Sequence, residues 1–463
     1  MKVLPIPHTL VLIFSIIVLM GALTWVVPAG EFARAEKQGR TVVVPGTYQR
    51  TTPQQQDLAD MLAAPIRGFV EAANIIAFIF IAGGAFGVVA ATGAINSAIA
   101  ASTRALERRP SLRLLIIPLL TTLFSLAGAT FGMSEEVLVF VLIFIPFALA
   151  LGYDSLVGVA IPFVGAGAGF AAAFLNPFTV GIAQGIAELP LFSGWPFRLA
   201  VWAVVTLLTV IFIMHYAAKV KRDPRTSPVY ELDRRRRQEQ MGEAPAPLGG
   251  RQKSVLAVFV LALLGLMLGA LEFNWYITEI GALFLAMGIL SGLVAGMSLN
   301  QTAEAFIAGA REMMTAALVV AFSRGILVIA TDGKIIDTIL NALAGLTAPS
   351  HPVLAGYLML AVQAGINFFV PSGSGQAALT MPIMAPLSDL LGLTRQTAVL
   401  IFQLGDGFNN LIIPTSGVTM GMLGIAKIPF EKWVRWILPL EGLFFAVGMI
   451  FIALAVMLQW GPH

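Results

Sequence analysis

Hydrophobic and polar positions alternate along this chain in long blocks. The apolar blocks are near the roughly 20 residues that carry a helix across a bilayer. The first covers 9–27, and a polar segment at 28–66, with Pro45-Gly46 and a Thr/Gln run, reads as an extramembrane loop. Apolar stretches follow at 68–101, 114–151, 155–188 and 198–217, then a basic segment at 218–253. The second half predicts plain helices at 255–275 and 279–297, an amphipathic piece at 300–312 and a span at 313–330. Further stretches lie at 352–391 and 396–426, and a last helix at 437–459. Four of these runs are broken by small polar residues, Gly and Pro, at 128–136, 175–179, 370–376 and 409–417.

Composition sharpens the class. Of 463 residues, 58% are hydrophobic and 11% charged, with a mean hydropathy of +0.87. A soluble chain carries about 25% charged residues, so these runs belong in a bilayer. They are continuous and not alternating, which excludes a β-barrel. The expected class is an all-α polytopic membrane protein with the lipid bilayer as its surroundings. Net charge is only +3 and the basic residues gather in loops, so a nucleic-acid partner is not expected. There are no cysteines, and the four histidines (His8, His215, His351, His463) make no ligand spacing. The first run is long for a signal peptide and Pro28-Ala29-Gly30 is a poor cleavage site, so a retained helix is expected.

The chain repeats itself. Ala90-Ala91-Thr92-Gly93-Ala94-Ile95 returns as Ala330-Thr331-Asp332-Gly333-Lys334-Ile335, Gly68-Phe69-Val70-Glu71 as Gly309-Ala310-Arg311-Glu312, and Gly169-Phe170 as Gly407-Phe408. The offset is about 240 residues each time, and broken hydrophobic segments at matching places in two halves mark a secondary transporter with its site at the breaks. The basic segments at 104–113 (Arg104, Arg108, Arg109, Arg113) and 218–253, the latter with ten Lys/Arg and Pro245 and Pro247, should both be cytoplasmic. Three hydrophobic units lie between them, so 114–151 is expected to enter and leave on one side as a re-entrant hairpin. Two full crossings would also balance, but each would be short of about 20 residues. By counting, the second copy is inverted and 352–391 opens from the periplasm. One feature runs against the rule: 28–66, expected outside, carries Arg34, Lys37, Arg40 and Arg50. The expected organisation is a first helix and periplasmic loop at 1–66, repeat 1 at 67–217, a cytoplasmic linker at 218–253, two scaffold helices at 254–298 and repeat 2 at 299–463.

Non-helical backbone is costly in lipid and should line a cavity or be buried in protein. Half-helix N-termini attract carboxylates and freed carbonyls can coordinate Na⁺. The candidate substrate contacts are Ser134, Glu135 and Glu136 at the first break, Asn176, Pro177 and Thr179 at the second, Ser372, Gly373, Ser374 and Gln376 at the third, and Asp406, Asn409, Asn410, Thr415 and Ser416 at the fourth. A Na⁺ site is expected near Asn176, Thr179, Asn410 and Thr415. Intramembrane acids are functional by default, though Glu135 and Glu136 could instead cap a helix at the water boundary, and Asp406 could be a cap. Adjacent residues on a helix point about 100° apart, so one of the two glutamates should face the site. Arg324, within a span, is expected to pair with an acid or hold a carboxylate. Glu71 and Glu312 are expected to be interfacial. The chain has no G-x-x-x-x-G-K-[ST], H-E-x-x-H or G-x-S-x-G, so neither a nucleotide-driven pump nor an enzyme is indicated.

These residues carry a resemblance over almost the whole chain. Gly132-Met133-Ser134-Glu135-Glu136, Asn176-Pro177-Phe178-Thr179, Pro371-Ser372-Gly373-Ser374-Gly375-Gln376, Gly405-Asp406-Gly407-Phe408-Asn409-Asn410 and Pro414-Thr415-Ser416-Gly417 are similar to the YfcC family of the dicarboxylate-carrier and basic amino acid antiporter clan, within the ion transporter superfamily. The resemblance implies an elevator-type carrier in which a transport domain slides against a scaffold, usually as a homodimer in the bacterial inner membrane, with substrate between two hairpin tips and two unwound helices. In sodium–dicarboxylate relatives the tips carry Ser-Asn-Thr, whereas here they read Ser-Glu-Glu and Ser-Gly-Ser-Gly-Gln. With Glu135, Glu136 and Asp406 against Arg324 alone, the sequence favours exchange of small carboxylate-bearing solutes, amino acids and above all basic ones. The alternative is a carrier of C4-dicarboxylates or other organic acids in which these acids bind the coupling Na⁺ or H⁺. No other cofactor is expected.

Overall fold

The computed structural model describes residues 9–37, 40–108, 110–240, 248–273, 275, 277–345 and 351–461. His8, Arg109, Pro245, Pro247 and His463 lie outside them. The chain opens with α1 (Thr9–Val26), strands β1 (Gly30–Glu31), β2 (Arg34–Lys37), β3 (Arg40–Val43) and β4 (Gln49–Arg50), then α2 (Leu58–Glu71), α3 (Ala73–Ala91) and α4 (Ala94–Glu107). A hairpin of α5 (Pro110–Phe131) and α6 (Val137–Ala150) follows. The next helix is irregular: α7 (Ser155–Val159), a π-helical turn Ala160–Val164 and α8 (Gly165–Ala171), then a break, a second π-helical turn Pro177–Gly181 and α9 (Ile182–Ile186). After α10 (Trp195–Arg222) and α11 (Tyr230–Gln240) come α12 (Gly250–Glu272) and α13 (Ile277–Ala295). The second half has α14 (Leu299–Glu312), α15 (Met314–Asp332), α16 (Ile336–Gly345), the hairpin α17 (Pro352–Phe369) and α18 (Gly373–Leu390), the broken pair α19 (Arg395–Asn409) and α20 (Gly417–Ala426), and α21 (Phe430–Met457). Among the described residues, α3, α10, α13, α15, α17 and α21 are long and apolar enough to cross a membrane.

One expectation fails locally. The segment at 28–66 is not loop throughout: α2 begins at Leu58, because Asp57 accepts from the Asp60 backbone N–H while the Asp60 side chain accepts from that of Asp57. This capping box satisfies N–H groups that a helix start otherwise leaves open. Ser298 and Gln301 build the same box at the start of α14. The elements themselves match: α2 and α14 both have 14 residues, α3 and α15 both 19, and each begins 241 positions after its counterpart, 58 to 299 and 73 to 314.

Each half packs on the other through glycine. α2 lies along α15, where a Cβ on Gly68 would come within 2.3 Å of the Ala321 carbonyl oxygen. α14 lies along α3, where a Cβ on Gly309 would come within 2.3 Å of the Gly83 carbonyl oxygen. Backbones approach this closely only where the side chains are missing, the usual glue between helices that share an apolar environment. In both contacts the helices run antiparallel, since Gly325 meets Ala64 while Gly68 meets Ala321, and Gly87 meets Ala305 while Gly83 meets Met313.

The four strands dock on the turn between α15 and α16 and on the start of α16. β1 pairs antiparallel with β4 and β2 with β3, Arg34 opposite Val43. Arg34 makes a bidentate pair with Asp337 (2.9 and 3.1 Å), Tyr48 Oη meets Thr338 at 2.8 Å and Lys334 pairs with Glu31 at 3.1 Å. At the opposite end of the helices, α11 closes the start of α7 and the end of α20. Asp233 accepts from the Ser155 N–H at 2.8 Å, Arg236 donates to Ser155 Oγ and to the Ala426 carbonyl, and Arg237 donates to the Tyr153 carbonyl at 2.7 Å. Tyr230–Gln240, within the charged segment between the halves, is thus a folded helix that satisfies backbone groups of both broken helices.

Candidate functional site

The four breaks meet. The turn between α5 and α6, the start of the Pro177–Gly181 turn, the turn between α17 and α18 and the break between α19 and α20 line one cavity of ≈ 230 Å³. Helices begin at its wall: Val137, Phe178, Gly373 and Gly417 are lining residues and stand at or next to the first residue of α6, the Pro177–Gly181 turn, α18 and α20. Open N–H groups and the positive ends of helix dipoles favour a carboxylate there. The charged side chains of the lining are Glu135, Glu136 and Arg324.

The first turn requires glycine. Gly132 has φ +74°, and a Cβ there would sit 2.7 Å from Asn176 Oδ1. Leu175 N–H donates to the Ala129 carbonyl at 3.1 Å, so the break after α8 is tied to the hairpin. Ser134 N–H donates to Glu136 Oε2 at 3.0 Å. Both glutamate residues line the cavity, and the Glu136 carboxylate, 7% exposed, is the one tied to the turn. They lie in the turn before α6 and not on a regular helix, so the helical angle between neighbours does not apply.

Ser134, Thr179, Ser372, Gly373, Ser374, Asn410, Thr415 and Ser416 also line the cavity. Asn176, Pro177, Gln376, Asp406 and Asn409 do not; they stand behind it. Asn176 caps the Pro177–Gly181 turn, accepting from Phe178 N–H at 2.9 Å, and its Nδ2 has no partner. Asn409 donates to the Ala364 carbonyl at 2.7 Å. Ser372 caps α18 and Ser416 caps α20.

Asp406 is the most buried of the acids at 0% exposure. Its Oδ1 accepts from Asn367 Nδ2 at 3.0 Å, and its Oδ2 has no partner. Gly373 separates it from the cavity: a Cβ on Gly373 would be 3.2 Å from Asp406 Oδ2 and 2.4 Å from Thr179 Cγ2. Thr179 Oγ1, Asn367 Oδ1 and Gln376 Oε1 are likewise buried without partners. Of the four residues expected around Na⁺, Thr179, Asn410 and Thr415 share the cavity wall, and Asn410 Oδ1 accepts from Asn367 at 3.3 Å.

Sequence reasoning missed Asn367 and Gln363. Both are fully buried on α17, where Gln363 bonds Gln376 (2.8 Å) and Thr380 (3.1 Å). Amides inside an otherwise apolar run were the available signal, since polar groups at membrane depth need partners. Gln403, which holds the Phe170 carbonyl at 2.5 Å beside the break after α8, was missed in the same way. From the other half of the wall, Arg324 pairs with Glu71 at 3.0 Å, as an intramembrane arginine was expected to do, and Trp275 and Ser323 complete the lining.

The chain matches the model of DcuC, the C4-dicarboxylate anaerobic carrier family, over residues 6–457. It is 38% identical to the Escherichia coli (strain K12) protein named "Putative basic amino acid antiporter YfcC", over 96% of this chain and 95% of that one. An uncharacterized Haemophilus influenzae protein is 28% identical over 99% and 98% of the two chains. Two solved transporters are similar at low identity. MtrF of Neisseria gonorrhoeae, described with a class of antimetabolite efflux pumps, has 18% identity, a TM-score of 0.45 and covers 99% of this chain and 98% of its own. The YdaH transporter of Alcanivorax borkumensis has 17% identity, a TM-score of 0.42 and covers 98% and 100%. The chain therefore belongs to the DcuC family of C4-dicarboxylate anaerobic carriers, multi-pass membrane transporters, and resembles YfcC within it.

Proposed function

We propose that this transporter exchanges small carboxylate-bearing solutes, basic amino acids ahead of dicarboxylates, across the bacterial inner membrane. The observation that carries the reading is the cavity itself. Helix N-termini suited to a carboxylate and two glutamates suited to an amine or guanidinium share a wall in which Arg324 is the one basic side chain, already paired with Glu71. A second anionic group on the solute would meet Glu135 and Glu136. At ≈ 230 Å³ the cavity suits a metabolite smaller than the drug-sized ligands of pockets of about 300 Å³ and above. The name of the E. coli relative agrees with this solute class.

The mechanism we infer is an elevator. The halves are inverted repeats, a reading supported by the equal lengths of α2/α14 and α3/α15 and by their antiparallel, exchanged contacts. The moving body comprises the two hairpins, the two broken helices, α10 and α21. The scaffold comprises α1 to α4 and α12 to α16, and we take the protein to work as a homodimer.

A second reading keeps the same scaffold and changes the solute. The family is described by C4-dicarboxylates, and the unpartnered oxygens of Thr179, Asn367, Gln376 and Asp406 form a neutral-plus-one-acid set suited to a coupling Na⁺ or H⁺. A thermal-shift screen separates the two readings, because a ligand at about 100 times its Kd stabilises by about 2.7 kcal/mol. Stabilisation by arginine, lysine or ornithine without Na⁺ supports exchange of basic amino acids. Stabilisation by succinate or fumarate only with Na⁺ or at low pH overturns it in favour of the second reading.

A further inference from the structure

Glu441 is a buried acid outside the cavity. It is 2% exposed, and neither carboxylate oxygen has a hydrogen-bond partner. It lies about 17 Å along α21, a helix of 28 residues and hence about 42 Å long, and about 9 Å beyond Arg435. The corresponding position of α10, also 28 residues long, is Thr206, whose hydroxyl meets Ser125 Oγ at 2.6 Å. Glu441 has no such partner. Pro439 lies inside the helix two residues before it, and a Cβ on Gly442 would touch nothing within 4 Å. Proline removes a backbone donor and loosens the helix where it stands.

The helices packed most extensively on α21 are α10, α17 and α19, and the Ala160–Val164 turn meets it through Phe163 against Trp433. Their titratable groups leave Glu441 without a bond. On α10, Tyr216 donates to Asp154 at 2.5 Å, Arg198 donates to Gln396 at 3.0 Å near the opposite end of α21, and His215, Lys219, Lys221 and Arg222 follow toward the linker. On α17 there is Tyr357; on α19, Arg395 pairs with Asp389 and Glu188, and Asp406 accepts from Asn367. On α21 itself Glu431 pairs with Arg435 and Lys432 donates to the Pro228 carbonyl.

An ionised carboxylate in this setting would have neither counter-ion nor donor, the costliest way to bury a charge. A Na⁺ would need a shell of oxygens, and among the described residues no group bonds Glu441 to begin one. A proton needs no shell. We propose that Glu441 is a proton-binding site in the first half of α21, separate from the solute cavity, where one carboxylate oxygen takes up a proton as O–H and later returns it to water. Its part in coupling rests on the transporter reading above; the binding of the proton does not.

The test is infrared spectroscopy of the purified protein in lipid nanodiscs, wild type against Glu441→Gln and Asp406→Asn, at neutral pH. Gln copies the protonated acid in shape and charge, so Glu441→Gln should fold and elute as the wild type does while losing the carbonyl band of one protonated carboxyl. A band left intact in Glu441→Gln overturns the site, and so does a Glu441→Gln protein that fails to fold while Asp406→Asn folds. In proteoliposomes loaded with arginine, a pH gradient should drive uptake by the wild type and not by Glu441→Gln, and an unchanged response would remove Glu441 from coupling. If the wild type moves no arginine at all, the solute assignment fails and the infrared result still decides the proton site.

Discussion

Gly132 shows how much of the site hangs on single residues. Its φ of +74° costs a residue with a Cβ about 1–2 kcal/mol, and the added methyl would also displace the Asn176 carboxamide. Gly132→Ala should lower thermal stability by about that amount and reduce transport more than stability; unaltered transport would show that the turn tolerates a shift. Asp406 is the opposite case, a residue whose removal should spare the fold. Asp406→Asn keeps the shape and the hydrogen bond that Asn367 can offer, so stability should stay within about 1 kcal/mol. Uptake should fall about tenfold or more, equivalent to about 1.4 kcal/mol of lost binding or coupling, and any Na⁺-dependent thermal shift should vanish. Full activity in Asp406→Asn would exclude it from the mechanism. Asp406 was legible in the sequence because an acid at membrane depth is conspicuous. Its setting was not, because Asn367, Thr179 and Gly373 lie on three other segments, and only packing brings them beside it.

At the scale of elements, the glycine crossings carry the join between the halves. Gly309→Val would drive side-chain atoms into the Gly83 carbonyl and Gly87 Cα, and overpacking of this kind costs about 1–3 kcal/mol. The midpoint of thermal unfolding in detergent should drop accordingly, and Gly68→Val should behave alike at the crossing with Ala321 and Gly325. A neutral outcome at one site and a large loss at the other would argue that the two crossings are not equivalent. The apolar runs located most of the helices, including both hairpins and both broken helices, but they passed over α16 and read 68–101 as one span where the structure has α3 and α4. The start of α2, from Leu58 to Ile66, reads as loop in the sequence, since the Thr/Gln run before it and the capping residues Asp57 and Asp60 look like loop until the box they form is seen. Hydropathy also leaves α11 as linker, because its eleven residues are mostly charged and bury themselves only by bonding Ser155, Tyr153 and Ala426.

For the whole molecule, the proposed arrangement makes a prediction about sides. The chain lacks cysteine, so single replacements report cleanly. Ser134→Cys, at the first hairpin turn, should react with an impermeant maleimide from the cytoplasm, and Ser374→Cys, at the second, from the periplasm. Reaction of both from one face would falsify the inverted arrangement. If the body holding the cavity moves across the scaffold, saturating solute should change the rate at Ser134→Cys and Ser374→Cys in opposite directions. Equal changes at both would fit a gated site that does not travel.

The sequence by itself determined the membrane class and the positions of the four breaks, because each follows from local quantities: run length, hydropathy and the residue types that interrupt a run. It also named most of the polar side chains on the cavity wall, since polar and glycine-rich interruptions have nowhere to go in lipid except a protein-lined space. Tertiary structure alone decided that the breaks share one cavity, that Asp406 stands behind Gly373 and not at the wall, that Arg324 meets Glu71, and that Glu441 has no partner. These depend on which helices lie side by side. Partners far apart in sequence, such as Glu71 and Arg324, leave no local pattern, because the chain between them sets no distance until the whole bundle has packed.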